Sequence, residues 1–390
     1  MFKYIEEICN NVQLEEGEKT IENILITVYL KEGVSTKEIA RRNLLPIPVV
    51  AAIKKELIKR DLVIQDCGTR LTNKGRHYIE NQIGFNVRDK DLYMKLYLDP
   101  WKEHEEIMQI QSELDEIFDN RPRVDVTIDQ SKSSVETSLK RAILCLKNHN
   151  LVGKKILCLG DDDLVSISLG FLLKKLLKGS NDYSTEITVV DIDKRFLRYI
   201  NDIAIDKKLP IKCIYTDLRM PLPCDLKNQY DCVFTDPPYT IEGMDLFLSR
   251  GIESLKNKIG IDIYFSYAHK SSDFQLNMQR HFLRMGLSIS QVMLQFNSYE
   301  GASIIGNTGQ MIILKTTEKT KSLIDASYKG NLYTGEIKKT IRFYECKKCG
   351  EIIKVGNKEK FIHIEELKDH GCCKCGDNIF ELTQKINVNA

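Results

Sequence analysis

The sequence predicts an α/β fold: a mostly parallel sheet, preceded by a small helical domain and followed by a compact cysteine-bearing module. Three observations carry this. Short β-branched runs alternate with helix-length stretches between about 131 and 317. The first 85 or so residues follow the order helix, helix-turn-helix, hairpin, helix. Five of the 12 cysteines crowd into positions 346–375. A chain of 390 residues has room for two or three domains, and 42% hydrophobic with 29% charged residues is globular composition. The net charge of +2 gives no overall attraction to nucleic acid or membrane. The absence of a long apolar run or a basic-then-apolar leader predicts a soluble, cytoplasmic protein with no membrane partner.

In the first domain (1–85), Ile21–Leu30 is a helix-length apolar run, and Ser35-Thr36-Lys37-Glu38 has capping-box spacing. Val49, Ile53, Leu57 and Ile58 recur at helical spacing, and Leu62-Val63-Ile64 and Thr69–Thr72 suit a two-stranded wing. This is a winged-helix order. Pro46-Ile47-Pro48 places apolar groups where a base-reading helix starts polar, so packing is expected rather than DNA binding. Residues 86–130 form a charged connector with a helix over Lys102–Phe118.

The catalytic candidate is 131–317. Lys155–Gly160, Ile187–Asp191, Ile211–Tyr215 and Tyr230–Thr235 read as successive buried strands, with helices over Val165–Leu177 and Lys194–Ala204. Ile261–Ser266, Leu287–Phe296 and Met311–Leu314 complete a Rossmann-like, methyltransferase-type sheet whose ligands belong at the strands' carboxyl ends. Four of those ends are acidic: Gly160-Asp161-Asp162-Asp163, Asp191-Ile192-Asp193, Thr216-Asp217 and Asp236-Pro237-Pro238-Tyr239. Seven aspartates thus face one crevice. Carboxylates stand where a nucleotide loop has its later glycines, which disfavours NAD, ATP and GTP and favours a ligand with an amine tail. In Asp236-Pro237-Pro238 both prolines restrict the backbone, making a stiff frame that can grip an amine by its N–H groups.

With Asp129-Gln130, Glu136-Thr137, Arg250-Gly251-Ile252 and Phe296-Asn297-Ser298-Tyr299, these motifs resemble the branched-chain polyamine synthases, the bis(aminopropyl)spermidine synthases, over roughly residues 20–315. The resemblance implies transfer of aminopropyl groups from decarboxylated S-adenosylmethionine to the internal amine of spermidine, with methylthioadenosine released. On that basis Asp163 and Asp236 are expected around the attacking nitrogen, as orienting group and base. Asp161 and Asp162 are candidates for the propylamine tail, Asp191 for the ribose and Asp217 for the adenine. Gly160, Gln130, Asp193, Pro237 and Tyr239 complete the expected donor site, Tyr239 as a ring over the sulfonium. The alternative is an amino-methyltransferase acting on adenine or cytosine in nucleic acid, which shares the Asp-Pro-Pro-aromatic element. Acids around the crevice oppose phosphate, so a nucleic-acid partner is not expected. A homodimer is the expected assembly.

The last segment, 318–390, carries Cys346-Lys347-Lys348-Cys349-Gly350 and Cys372-Cys373-Lys374-Cys375-Gly376. Two C-x-x-C-G knuckles at this spacing predict a small zinc ribbon in which Cys346, Cys349, Cys372 and Cys375 hold a structural zinc and Cys373 is spare. A redox dithiol or a single iron is the runner-up.

Overall fold

The computed structural model describes residues 3–181, 183–300, 306–337, 340–356, 359–362 and 364–387. The chain begins with four helices, α1 (Lys3–Val12), α2 (Glu18–Leu30), α3 (Thr36–Arg42) and α4 (Ile47–Lys59). An antiparallel hairpin, β1 (Val63–Gln65) and β2 (Thr69–Leu71), follows, then α5 (Asn73–His77) and one π-helical turn. Ser35 starts α3 by accepting from the Glu38 amide. Glu38 does not complete the box: its carboxylate pairs instead with Arg41 and Arg42. At α4, Ile53 and Leu57 of the expected stripe are buried, but Val50 is buried in place of the half-buried Val49, and Ile58, like Ile47, is exposed.

The connector supplies α6 (Lys90–Leu98) and α7 (Glu105–Asp119). Trp101, in the connector, meets Phe296 edge-on and stays half exposed. A short strand β3 (Lys132–Ser133) leads into α8 (Val135–Lys147), a helix buried on most of its circumference.

The sheet proper then alternates as expected: β4 (Lys155–Leu159), α9 (Val165–Leu176), β5 (Glu186–Asp191), α10 (Lys194–Lys207), β6 (Ile211–Tyr215), β7 (Cys232–Thr235), α11 (Ile241–Ser254), β8 (Asp262–Ala268), α12 (Ser272–Arg284), β9 (Leu287–Glu300) and β10 (Thr308–Thr316). Its order is β3-β9-β10-β8-β7-β4-β5-β6. β4 to β8 pair in parallel, and β10 runs antiparallel between β8 and β9. The order turns back at β4, between β5 and β7, so the loops after these strands open into one crevice.

The N-terminal domain sits against the opposite, amino-end side of this sheet. Lys19 reaches Asp262 at the start of β8, Glu22 pairs with the buried Lys154, and Glu18 pairs with Lys258.

Residues 318–337, grouped by sequence with the C-terminal module, lie along the catalytic domain instead. Ser249 Oγ accepts from the Leu323 and Ile324 amides, and Arg250 donates to the Ile324 and Ala326 carbonyls. Their polar backbone is satisfied by the sheet's helices, and only beyond α13 (Thr334–Ile337) does the module begin. It comprises β11 (Thr340–Cys346), β12 (Ile352–Val355), α14 (Ile364–His370) and β13 (Phe380–Asn387), with β11 central in an antiparallel sheet.

Candidate active site

The Gly160–Asp163 loop leaves β4 through a left-handed glycine, φ 73°, a conformation that a side chain would strain. Its three aspartates do different things. Asp161 is buried and accepts from the Val165 and Ser166 amides at the start of α9. Burial pushes its carboxyl up to about 7, against the pull of those hydrogen bonds. Asp162 accepts from the Ser131 amide, 3.0 Å away. Burial, then the charges of Asp163 and Asp191, push it well above the usual carboxylate range. Asp163 turns inward to Arg141, its Oδ2 2.6 Å from Nη1.

Arg141 is the residue that sequence reasoning missed. It projects from α8 and is 2% exposed. Nη2 donates to Asp236 Oδ2 at 2.9 Å and to the Tyr299 hydroxyl at 3.1 Å, and Nε donates to Asn297 Oδ1 at 3.0 Å. Asp236 follows β7 in the proline frame, and Tyr299 donates to its Oδ2 at 2.6 Å. Tyr239 donates in turn to the Tyr299 hydroxyl, and the Lys270 ammonium stands 5.5 Å from the Tyr239 ring centre. One guanidinium therefore holds one oxygen of each aspartate. The other oxygens, Asp163 Oδ1 and Asp236 Oδ1, are buried and have no hydrogen-bond partner among the described residues. Burial and the charge of Asp163 raise the Asp236 carboxyl to about 6, although Arg141 and Tyr299 pull it down.

A detectable signal lay in α8. Leu139, Ala142, Ile143, Leu144, Cys145 and Leu146 are apolar, so an arginine among them needs a buried anion. Tyr299 lay inside a quoted motif without a role.

The donor side is equally ordered. Asp191 accepts from the Asp161 and Asp193 amides, and burial raises its carboxyl. Burial would raise Asp193 too, but hydrogen bonds from Arg195 and Gln130 outweigh it and leave the carboxyl below its ordinary value. Gln130 thus ties the loop before β3 to the end of β5. Asp217 accepts from the Arg219 amide. Gly160, Asp191 and Asp217 line one recess together with Leu218, Phe247 and Tyr333. Pro237 is buried behind Asp236. Asp162 thus lies within electrostatic reach of Asp163, Asp191 and Asp236, while Asp191 and Asp217 line the neighbouring recess. A second buried guanidinium, Arg121, donates to the Ser133 carbonyl and lies within electrostatic reach of Asp163 and Asp162.

In the C-terminal module the Cys346, Cys349, Cys372 and Cys375 sulfurs all lie within 4.8 Å of one another. The Cys346–Cys375 and Cys349–Cys372 separations are 3.5 and 3.6 Å. A tetrahedral zinc with Zn–S near 2.3 Å needs sulfurs about 3.8 Å apart, so the donor set fits the ion. Cys373 is exposed and outside the cluster.

The fold and this acid-lined crevice define a methyltransferase-type transferase domain built for a cationic guest. Residues 109–362 match the branched-chain polyamine synthase A C-terminal domain, and the chain belongs to that family. It is 30% identical over 304 residues to the N(4)-bis(aminopropyl)spermidine synthase of Thermococcus kodakarensis, covering 77% of this chain and 83% of that one. It is 37% identical over 386 residues to an uncharacterized protein of Methanocaldococcus jannaschii, covering 97% and 92%. The crystal structure of the branched-chain polyamine synthase from Thermus thermophilus, in complex with N4-aminopropylspermidine and 5′-methylthioadenosine, superposes with a TM-score of 0.51 at 22% identity. It covers 86% of this chain and 97% of that one.

Proposed function

We propose that this protein transfers aminopropyl groups from decarboxylated S-adenosylmethionine to the internal amine of spermidine, releasing methylthioadenosine. The observation that carries the reading is the pair of buried oxygens, Asp163 Oδ1 and Asp236 Oδ1, for which the described residues supply no donor, beside Arg141, whose three nitrogens are all engaged. A buried acceptor without a donor is costly, and an amine N–H supplies one.

In the first transfer the secondary amine attacks the methylene next to sulfur. The C–N bond forms as the C–S bond breaks, its electron pair neutralises the sulfonium, and the amine's proton passes to Asp236. A carboxyl titrating near 6 is ionised at neutral pH and accepts that proton without a large mismatch. In a second transfer the tertiary amine attacks and becomes quaternary, with no proton to lose. Asp163 then acts only to orient, a role that geometry serves well. Asp162 receives the propylamine tail, Asp191 the ribose and Asp217 the adenine. Asp161 is committed to the start of α9 and contributes charge rather than a direct contact.

The rival, methyl transfer to a base in nucleic acid, needs a basic channel for phosphate, and the acid-rich crevice stands against it. The N-terminal domain is a winged-helix unit used for packing, and the four-cysteine cluster holds a structural zinc. When bound, that ion supplies folding energy to the module and no step of the transfer.

Incubation with decarboxylated S-adenosylmethionine and spermidine, with products identified by mass and fragmentation, tests the reading. Branched products with stoichiometric methylthioadenosine are expected. Methylated product from intact S-adenosylmethionine would reject it. For the metal, Cys349→Ser is expected to lose about one equivalent of zinc by elemental analysis while transfer persists. Unchanged metal content would reject the ligand set.

A further inference from the structure

The recess that opens beside Asp191 and Asp217 is not closed by the sheet. Its outer wall comes from the strap, residues 318–337, that follows the last strand of the catalytic domain. Leu332 and Tyr333 line the recess together with Phe247 of α11, and both are buried, packing with Leu246.

The strap is fastened to the elements that carry the site. Thr240, four residues after Asp236, donates to the Leu332 carbonyl at 2.8 Å. Asp129, beside Gln130, accepts from the Thr334 amide at 2.7 Å. Arg219, two residues past Asp217, donates twice to Glu336 at 2.9 and 3.0 Å, and its guanidinium lies 5.0 Å from the Tyr333 ring centre. Glu336 accepts in addition from the Leu332 and Tyr333 amides. The backbone on either side of the tyrosine is thereby held, and its ring has a carboxylate loop on one side of the recess and an aromatic neighbour within it.

From this juxtaposition we infer that Tyr333 is a donor-binding residue: its ring covers the nucleobase of the aminopropyl donor and of methylthioadenosine, while Arg219 and Glu336 position it. The inference rests on the aminopropyl-transfer reading and adds to it a wall supplied from outside the strand-end loops. A flat ring against a base is worth a substantial part of nucleoside affinity, and it makes no demand on the acceptor amine.

The test is methylthioadenosine binding by calorimetry, with donor and acceptor KM measured alongside. Tyr333→Leu keeps the apolar volume behind the strap and removes the ring. It is expected to weaken methylthioadenosine about tenfold and to raise the donor KM, with the acceptor KM unchanged. Tyr333→Phe keeps the ring and is expected to bind like the unaltered chain. Unchanged affinity in Tyr333→Leu, or a phenylalanine variant as weak as the leucine one, overturns the inference. Failure of the unaltered chain to bind methylthioadenosine removes the aminopropyl-transfer reading itself, and this assignment with it.

Discussion

Two aspartates on neighbouring strands, Asp262 where β8 begins and Asp236 just past the end of β7, experience opposite environments in one sheet. Asp262 is 1% exposed and fully satisfied: Lys315 donates to Oδ1, and Lys19 and Asn150 to Oδ2. Burial alone would raise its carboxyl, but the two lysines outweigh that and hold it at about 2. Asp236 shares one guanidinium with Asp163, keeps one oxygen without a partner and is held up at about 6. Identical side chains thus serve opposite ends. At the amino end the carboxylate is fully met by cations and joins two domains. At the carboxyl end it is left negative, in want of a cation.

The pH consequences have opposite signs. Asp262 contributes stability that is present above its unfolded value, about 3.9, and is lost as pH falls toward 2. Asp236 is harder to ionise in the fold than out of it. Its cost is absent below about pH 4, grows as pH rises, and is complete above 6.

The sharpest way to break this comparison is to neutralise each aspartate. Asp236→Asn is expected to lower the transfer rate by about 10²–10⁴-fold with the melting temperature kept, since a charge short of partners is removed. Asp163→Asn is expected to behave alike. Asp262→Asn leaves Lys19 and Lys315 facing an amide, and a broken buried pair costs about 3–5 kcal/mol. Because Lys315 is 38% exposed, about 2–4 kcal/mol is expected, read from denaturant unfolding, with transfer by the folded protein intact. Loss of stability in Asp236→Asn with activity retained would reverse the assignment of the two ends.

A smaller effect is expected at Arg141. Lysine cannot reach Asp163, Asp236, Tyr299 and Asn297 together as the guanidinium does. Arg141→Lys is expected to cost about tenfold in kcat and to move the acid limb of the pH–rate profile to higher pH, because an ammonium held at Asp163 stands farther from Asp236 and pulls it down less. Tyr299→Phe removes one donor to Asp236 and is expected to shift that limb in the same direction by less. A limb that stays in place in both would show that Asp236 is not the titrating base.

The contrast between the two ends was only half legible in the sequence. Strand ends announce themselves, because buried apolar runs stop at acids, and the Gly160–Asp163 and Asp236–Tyr239 motifs mark where the crevice opens. Arg141 lies inside a helix whose apolar neighbours dominate the pattern, and its two carboxylate partners are 22 and 95 residues away. Distance along the chain conceals such a pairing. Tyr333 was hidden for another reason: the strap has no strand or helix period to connect it with the sheet, and its attachment runs through backbone carbonyls and amides. Conversely, the four-cysteine cluster was fully legible, since each knuckle is local and the spacing states the geometry.

The smallest difference expected, and the most direct measure of the imbalance, is the pH dependence of thermal stabilisation by spermidine itself. Spermidine is cationic at both about pH 5 and about pH 8 and slightly less charged at the higher value, so a larger increment at about pH 8 reports the protein's charge rather than the ligand's. At about pH 8 Asp236 is ionised and in want of a cation, and a ligand at 100 times its Kd adds about 2.7 kcal/mol. At about pH 5 the Asp236 carboxyl is largely protonated, so the crevice attracts less. The melting-temperature increment is therefore expected to be larger at the higher pH, to shrink in Asp236→Asn, and to persist in Asp262→Asn, whose charge lies at the other end of the sheet. An increment independent of pH in the unaltered protein would mean that the carboxylates around Arg141 are already balanced without a guest, and the two ends of the sheet would then be alike.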